Sequence, residues 1–233
     1  GERLVLNNRE FNDIVIKKNI DYEIFDGFLF DSRDIKNSIK ILKQIKNICK
    51  LAEKFGSLVI IDEAYYHFNN ITAQSLIKSC QNLIVVRTFS KAFGVAGMRI
   101  GYTISNKKII GYMLSIKPIY EINAFNMKLV RLLIKNISVM KNYVKEVEKG
   151  RGLLKRFLSS KKIEMIGKYS NTVLFKLENK QKVDRVIKFL FDNKFIIRPM
   201  QIDNDNRYIR ATLGSSKIMK KFIKKLDTAL RFK

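Results

Sequence analysis

Apolar residues recur at three- and four-residue spacing through Ile35, Ile39, Leu42, Ile45, Cys49, Ala52 and Phe55. That is the period of one buried helix face, and Gly56 stands where a helix C-terminus favours a left-handed residue. The continuous apolar run Leu58–Ile61 follows at once and predicts a buried strand. Thr72 is placed to cap a short helix through Ser79, and Leu83–Val86 reads as the next buried strand. Arg99–Ser105 has the Ile, Tyr and Thr character of a further strand, and Asn106 is placed to cap a helix over Lys107–Ser115. Strands alternating with helices argue for an α/β sheet covered on both faces. Beyond Glu121, the positions Met127, Val130, Leu133, Ile134, Ile137, Val144, Val147 and Leu154 carry a helical period that predicts one long connecting helix. The C-terminal part reads strand (Thr172–Leu177), helix (Val183–Asn193), strand (Phe195–Arg198), strand (Tyr208–Leu213), helix (Ser216–Arg231). This divides the chain near residue 135 into a larger domain, 1–135, and a smaller α/β domain, 136–233. In the first 34 residues, Leu4–Leu6 and Ile14–Ile16 suggest short strands, and the apolar stretch Phe25–Phe30 is interrupted by Gly27.

Composition narrows this picture. The chain is 46% hydrophobic, enough to fill a core, and no run approaches the ~20 apolar residues of a membrane span. Its 46 basic against 21 acidic residues give a formal charge of +25, a balance that raises a polyanionic partner. The lysines, however, lie along polar helix faces, as Lys40, Lys43, Lys46, Lys50 and Lys54 show. They read as a solvated surface able to attract phosphorylated substrates rather than as a nucleic-acid interface. The two cysteines, Cys49 and Cys80, fall inside apolar patterns and read as buried free thiols of a reducing cytoplasm; no metal-ligand spacing is present.

Chemistry concentrates after two strands. The first ends in Asp62-Glu-Ala-Tyr65, and the second opens into Thr88-Phe-Ser-Lys91, followed by Gly94-Val-Ala-Gly97 and Arg99. Open α/β sheets place ligands beyond the carboxyl ends of their strands. A lysine, an acid, two hydroxyls and a guanidinium gathered in these two stretches suit an anionic ligand that carries a phosphate. Near the C-terminus, Arg210 stands in Tyr208-Ile-Arg-Ala-Thr-Leu-Gly214, within an otherwise apolar strand, where a guanidinium is costly unless it meets an anion.

These motifs resemble those of the pyridoxal 5'-phosphate (PLP)-dependent aminotransferases of fold type I, and within them the histidinol-phosphate aminotransferase-like branch of the class I/II family. The resemblance covers about residues 35–233 and lacks the family's N-terminal part. It implies an aspartate aminotransferase-like large-domain portion followed by a C-terminal α/β small domain. Lys91 then corresponds to the lysine that forms the cofactor Schiff base and moves the proton. Asp62 corresponds to the acid facing the pyridine nitrogen, and Tyr65 to the tyrosine at the ring oxygen. Thr88, Ser90 and Arg99 match the phosphate contacts. Arg210 matches the arginine that grips the substrate carboxylate; Arg198, in Ile196-Ile-Arg-Pro-Met200, resembles a substrate-side arginine, and a structural ion pair explains it about as well. The segment Tyr120-Glu-Ile-Asn123 corresponds to a stretch lining the site and the dimer contact. His67, the sole histidine, reads as solvent-facing or satisfied. The family's Asn-Pro-x-x-Pro-Thr-Gly loop has no counterpart; Asp26–Asn37 occupies its place.

The expected activity is transfer of the amino group of an amino-acid or amino-alcohol phosphate to a 2-oxo acid, by a cytoplasmic homodimer in amino-acid biosynthesis, with no nucleic-acid or membrane partner. Two alternatives stay open: a decarboxylase of a phosphorylated amino acid, and a catalytically impaired fragment acting as a basic binding protein.

Overall fold

The computed structural model describes residues 35–118 and 121–231. The strands expected at Leu4–Leu6 and Ile14–Ile16, the stretch Phe25–Phe30 and the start of the Tyr120–Asn123 segment lie outside the described residues. The chain gathers into two compact units, one running through Thr88 and including Gly101–Glu121, the other made of Phe89–Ile100 and everything from Ile122 onward.

In the first unit, helix α1 (Ile35–Glu53) stops as its pattern predicts. Gly56 takes φ +63, and the amides of Gly56 and Ser57 donate to the carbonyls of Glu53 (3.0 Å) and Ala52 (2.9 Å), closing the helix end. Strand β1 (Val59–Asp62) and strand β2 (Leu83–Thr88) pair in parallel, Val59 opposite Leu83 and Asp62 opposite Val86. Between them lie a single helical turn, α2 (Tyr66–Asn69), and a 3-10 turn at Gln74–Leu76. Thr72 does accept from the Gln74 amide (3.0 Å), but this is a local bond two residues on that leads into the 3-10 turn, whose N-cap is Ala73, rather than the cap of an α-helix running through Ser79. Strand β3 (Gly101–Ile104) returns antiparallel to β2, and helix α3 (Lys107–Ile116) begins at Asn106, whose side chain accepts from the Ile109 amide. The expected start of β3 at Arg99 is corrected: Arg99 has φ +53, a left-handed conformation that no strand accommodates.

One face of this sheet meets α1. Leu83, Val85, Cys49, Ala73 and Cys80 form the buried cluster, with Leu42, Ile45, Val59 and Ile61 packed on it. Both thiols are free and buried, and burial together with the neighbouring Cys80 pushes Cys49 up to about 12. Asn82 ties the layers, its amide donating to the carbonyls of Cys49 (2.9 Å) and Ser57 (3.0 Å). The other face is not fully covered as the pattern suggested, for Leu58 is 55% and Ile60 64% exposed.

The long helix expected beyond Glu121 is two helices, α4 (Ala124–Lys135) and α5 (Ile137–Ser160). Asn136 breaks them with ψ 46, its side-chain and backbone N–H groups both turned onto the Leu132 carbonyl (2.9 and 3.0 Å). An asparagine offering the backbone this local bond competes with helix propagation. The second unit continues with β4 (Met165–Ile166), β5 (Thr172–Lys176), α6 (Lys180–Asp192), β6 (Arg198–Ile202), β7 (Asp205–Thr212) and α7 (Ser216–Leu230). Its sheet is antiparallel in the order β4-β5-β7-β6. The two-residue strand β4 carries too little alternation to be read from sequence. Strand β6 begins at Arg198 rather than ending there, because Phe195 is still engaged in closing α6, its amide donating to the Leu190 carbonyl (2.8 Å). Val147, Leu154 and Leu158 of α5, Val183, Val186 and Leu190 of α6, Phe222 and Leu226 of α7, and Val173, Phe175 and Ile209 of the sheet make the core.

Two features of α5 set how it meets α7. A Cβ built on Gly150 would fall 2.5 Å from the Gly214 carbonyl oxygen and 2.8 Å from Met219 Cγ, so helix and turn touch backbone to backbone there. Glu146 accepts from the Ser216 hydroxyl (2.8 Å), the Ser216 amide (3.3 Å) and Lys149 Nζ (2.8 Å), placing a carboxylate at the α7 N-terminus.

Gly150→Ala is expected to destabilise the chain by about 1–3 kcal/mol through overpacking. Gly152→Ala, whose new methyl meets only Arg156 Nη1 at 3.6 Å, should raise stability by up to about 1 kcal/mol from helix propensity; urea midpoints of the two variants read the opposite signs. The hydrogen bonds from Lys149 and Ser216 hold the Glu146 carboxyl down at about 2. A lowered folded pKa gives stability that is present above the ordinary carboxylate value and lost as pH falls toward about 2. Glu146→Gln should therefore flatten the acid limb of a pH–stability curve below pH ~4.5, and an unchanged limb would count against this role.

Candidate active site

Strand alternation places the predicted residues of the first unit. Val59 and Ile61 of β1 face the α1 core, so Asp62, like Ile60, projects from the opposite face. On β2, Leu83 and Val85 face the core, and Val86 and Thr88 project with Asp62. Because β1 and β2 are parallel, Asp62 lies opposite Val86, one alternation short of Thr88, at the carboxyl edge of the sheet. Asp62 is exposed and its Oδ1 accepts from the Ala64 amide (2.8 Å), a turn that fixes the carboxylate. Tyr65 follows, half-buried, at the start of α2, its ring 6.4 Å from that of Phe68. Burial, followed by the charge of Arg87, holds the half-buried His67 below its ordinary pKa.

Behind this edge, on the core side, is a group that motif reading missed. Glu63 and Arg87 are 8% and 7% exposed and pair at 2.9 Å through Oε2 and Nε. Glu63 Oε1 also accepts from the Ala73 amide (2.6 Å). Arg87 Nη2 donates to Thr72 Oγ1 (2.8 Å) and Gln74 Oε1 (3.3 Å), and its guanidinium carbon lies 3.6 Å above the Tyr66 ring. Burial pulls the Arg87 pKa down, but bonds to Tyr102 and Glu63 outweigh it and leave it raised. The signal available in sequence was a single arginine inside the apolar run Leu83–Val86 and its continuation.

In the second unit, Phe89–Ile100 carries Ser90, Lys91 and Arg99 directly after Thr88. The Phe89 amide donates to the Ile100 carbonyl (3.1 Å), and the Gly94 amide to that of Lys91 (3.2 Å), with Gly94 at φ +71. Phe89 and Ala92 are buried, the Phe89 and Phe93 rings meet at a tilt with their centres 4.7 Å apart, and Asn126 of α4 donates to the Met98 carbonyl (3.1 Å). Ser90 and Lys91 are half-buried, so this is a pinned segment rather than a loose tip. Arg99 is exposed and bonds the Ala96 carbonyl (3.2 Å).

Arg198 and Arg210 are brought together: they are direct cross-strand partners of β6 and β7. Like charges directly opposite one another are unfavourable, and among the described residues neither meets a carboxylate. Arg210 is half-buried and projects opposite to Ile209 and Ala211, which are in the core. The first unit thus brings an acid, Asp62, and a hydroxyl, Thr88, to one face at one sheet edge, and the second carries Lys91 on a fixed segment and sets two guanidinia, Arg198 and Arg210, across from each other. Among the described residues no group of His, Cys, Asp and Glu is able to hold a metal, and no helix is long and apolar enough to cross a membrane.

The chain matches the family "Aminotransferase class I and II" over residues 40–226. It belongs to that family. Histidinol-phosphate aminotransferase 1 of Carboxydothermus hydrogenoformans is 29% identical over 194 residues, 83% of this chain and 54% of the relative. The chain thus spans about half the length of the curated relatives it matches. Histidinol-phosphate aminotransferase from Sinorhizobium meliloti, solved with pyridoxal-5'-phosphate, superposes with a TM-score of 0.70 at 21% identity, over 80% of this chain and 53% of that one. L-threonine-O-3-phosphate decarboxylase from Porphyromonas gingivalis gives 0.68 at 20% identity, over 82% and 59%. The fold is therefore that of the fold type I enzymes, as the motifs implied.

Glu63→Ala should leave Arg87 buried without its carboxylate and cost about 3–5 kcal/mol in a denaturation measurement; a loss under about 1 kcal/mol would mean the pair is dispensable to the fold.

Proposed function

We propose that this chain carries the chemistry of a PLP-dependent aminotransferase acting on an amino-acid or amino-alcohol phosphate, with a 2-oxo acid as acceptor, as a cytoplasmic homodimer in amino-acid biosynthesis. The observation that carries the reading is the parallel pairing of β1 and β2, which sends Asp62 and Thr88 out on one sheet face at one edge, with Lys91 three residues further on.

The donor set fits the cofactor. Asp62 offers a fixed carboxylate for a ring nitrogen, and Tyr65 a phenol for a ring oxygen. Thr88, Ser90 and Arg99 offer two hydroxyls and a guanidinium for a phosphate dianion, and Lys91 an amine for an aldehyde. PLP, when bound, supplies that aldehyde and an electron-accepting ring. Asp62 would hold the ring nitrogen of a bound PLP through its carboxylate, favouring the protonated ring. With PLP held there, Lys91 would supply the amine for its aldehyde and, as a free amine, would serve as the base that moves the substrate α-proton. Arg210 binds the substrate's anionic group in a bidentate fork, and Arg198, opposite it, relieves its own unpaired charge on the same anion. The Lys-rich surface draws in phosphorylated substrates. The fold likeness to a threonine-phosphate decarboxylase leaves the broken bond to be read from products.

The first test is a visible spectrum of the purified chain titrated with PLP. A band that borohydride fixes onto Lys91, and that Lys91→Ala abolishes, is expected; no band at saturating PLP would remove the cofactor reading. With activity in hand, Arg210→Ala should raise KM for the phosphorylated amine about tenfold or more, and carbon dioxide released without an oxo acid would replace transamination by decarboxylation.

A further inference from the structure

We propose that the buried Glu63–Arg87 pair is a positioning device for the cofactor edge, setting from the core side how Asp62 and Thr88 are presented on the other. The inference rests on the reading of Asp62 and Thr88 given above.

Chain adjacency and alternation carry the argument. Glu63 follows Asp62 and Arg87 precedes Thr88, so each charged partner is one residue from a proposed cofactor contact and points to the opposite face. The Glu63 amide donates to the Val86 carbonyl (2.8 Å), carrying the ladder one step past β1 to the place where the pair sits. Through Oε1 and Oε2, Glu63 holds both the Ala73 amide and Arg87. Through Nη2 and its flat face, Arg87 holds Thr72, Gln74 and the Tyr66 ring. The Tyr66 amide in turn donates to the Glu63 carbonyl (3.0 Å), so the turn that bears Tyr65 is fastened to the same point. One guanidinium thereby joins the ends of both strands, the α2 turn and the Thr72–Gln74 turn.

Stability alone does not call for such a group. An apolar pair of similar volume serves a core equally well or better, since two buried charges carry a desolvation cost. Just below, Leu83 and Val85 fill the same face of β2 with hydrocarbon. The charges stand only where the strands end and the proposed site begins. What an ion pair adds there is direction: a fork and a carboxylate admit few geometries, whereas two apolar side chains admit many.

The test compares the full chain with Arg87→Lys, which keeps the charge and loses the fork, and with the double substitution Glu63→Met with Arg87→Met, which removes both charges. Thermal unfolding, PLP affinity, and the pH dependence of the bound cofactor's visible band are measured on each. The expected result is a folded double variant whose PLP affinity falls about tenfold or more and whose band titrates at a different pH, because Asp62 is no longer held in place; Arg87→Lys should show the same in milder form. Wild-type affinity and titration in a folded variant would overturn the proposal. Should the double variant not fold, Arg87→Lys alone decides in the same way. Amide exchange at Glu63 and Ala73 reads the strand ends without cofactor, so it separates this inference from the cofactor reading. If the unsubstituted chain takes up no PLP, faster exchange confined to these two amides in Arg87→Lys supports a positioning role for the pair, and unchanged exchange overturns it.

Discussion

Two parallel strands side by side, β1 and β2, are the constraint on which the first unit turns. Parallel pairing brings both carboxyl ends to one edge, and period-two alternation then sorts their residues by face. Hydrocarbon from Leu83, Val85 and Ile61 goes to α1, and the polar groups Asp62 and Thr88 go to the other side. The same alternation drives Glu63 and Arg87 inward, where neither is tolerable alone. Each becomes the other's condition for being buried, and the nearby turns supply the remaining bonds.

The second unit solves a different problem, presenting charge from an antiparallel sheet. Ile209 and Ala211 are committed to the helices, which leaves Arg210 on the opposite face beside Arg198. Arg151 of α5, lowered in pKa mainly by its burial, donates to the carbonyls of Gly167 (2.8 Å) and Ser170 and so braces the chain entering β5, the partner of β7. The backbone contact between Gly150 and Gly214 fixes α5 against the end of the Arg210 segment.

Much of this was legible. Helices α1, α6 and α7 and strands β1, β2, β5 and β7 follow from apolar patterning because each packs against a core, whereas α3, with only Ile109 buried, is announced by its Asn106 cap. Where local chemistry competes with periodicity, the pattern misleads. The apolar stripe runs unbroken past Asn136, yet the side chain there bonds a backbone carbonyl and splits the helix. Arg99 looks like a strand start by its neighbours, but its left-handed backbone is imposed by the turn before it. The lysine, aspartate and arginines stood out as motifs. The register that sets Arg198 against Arg210, and the Glu63–Arg87 pair, did not, because each joins residues distant in sequence.

The exposed Ile60 has a consequence for how the chain behaves among copies of itself. Among the described residues β1 pairs on one side only, so the exposed Leu58 and Ile60 lie beside a strand edge that no described strand extends. The formal charge of +25 opposes the close approach of another copy. That repulsion reaches only about 8–10 Å in physiological salt, while the attraction between apolar surfaces is untouched by screening. Colloidal stability and completeness of the sheet are thus two sides of one property: whatever covers Ile60 also releases the chain from dependence on its own charge.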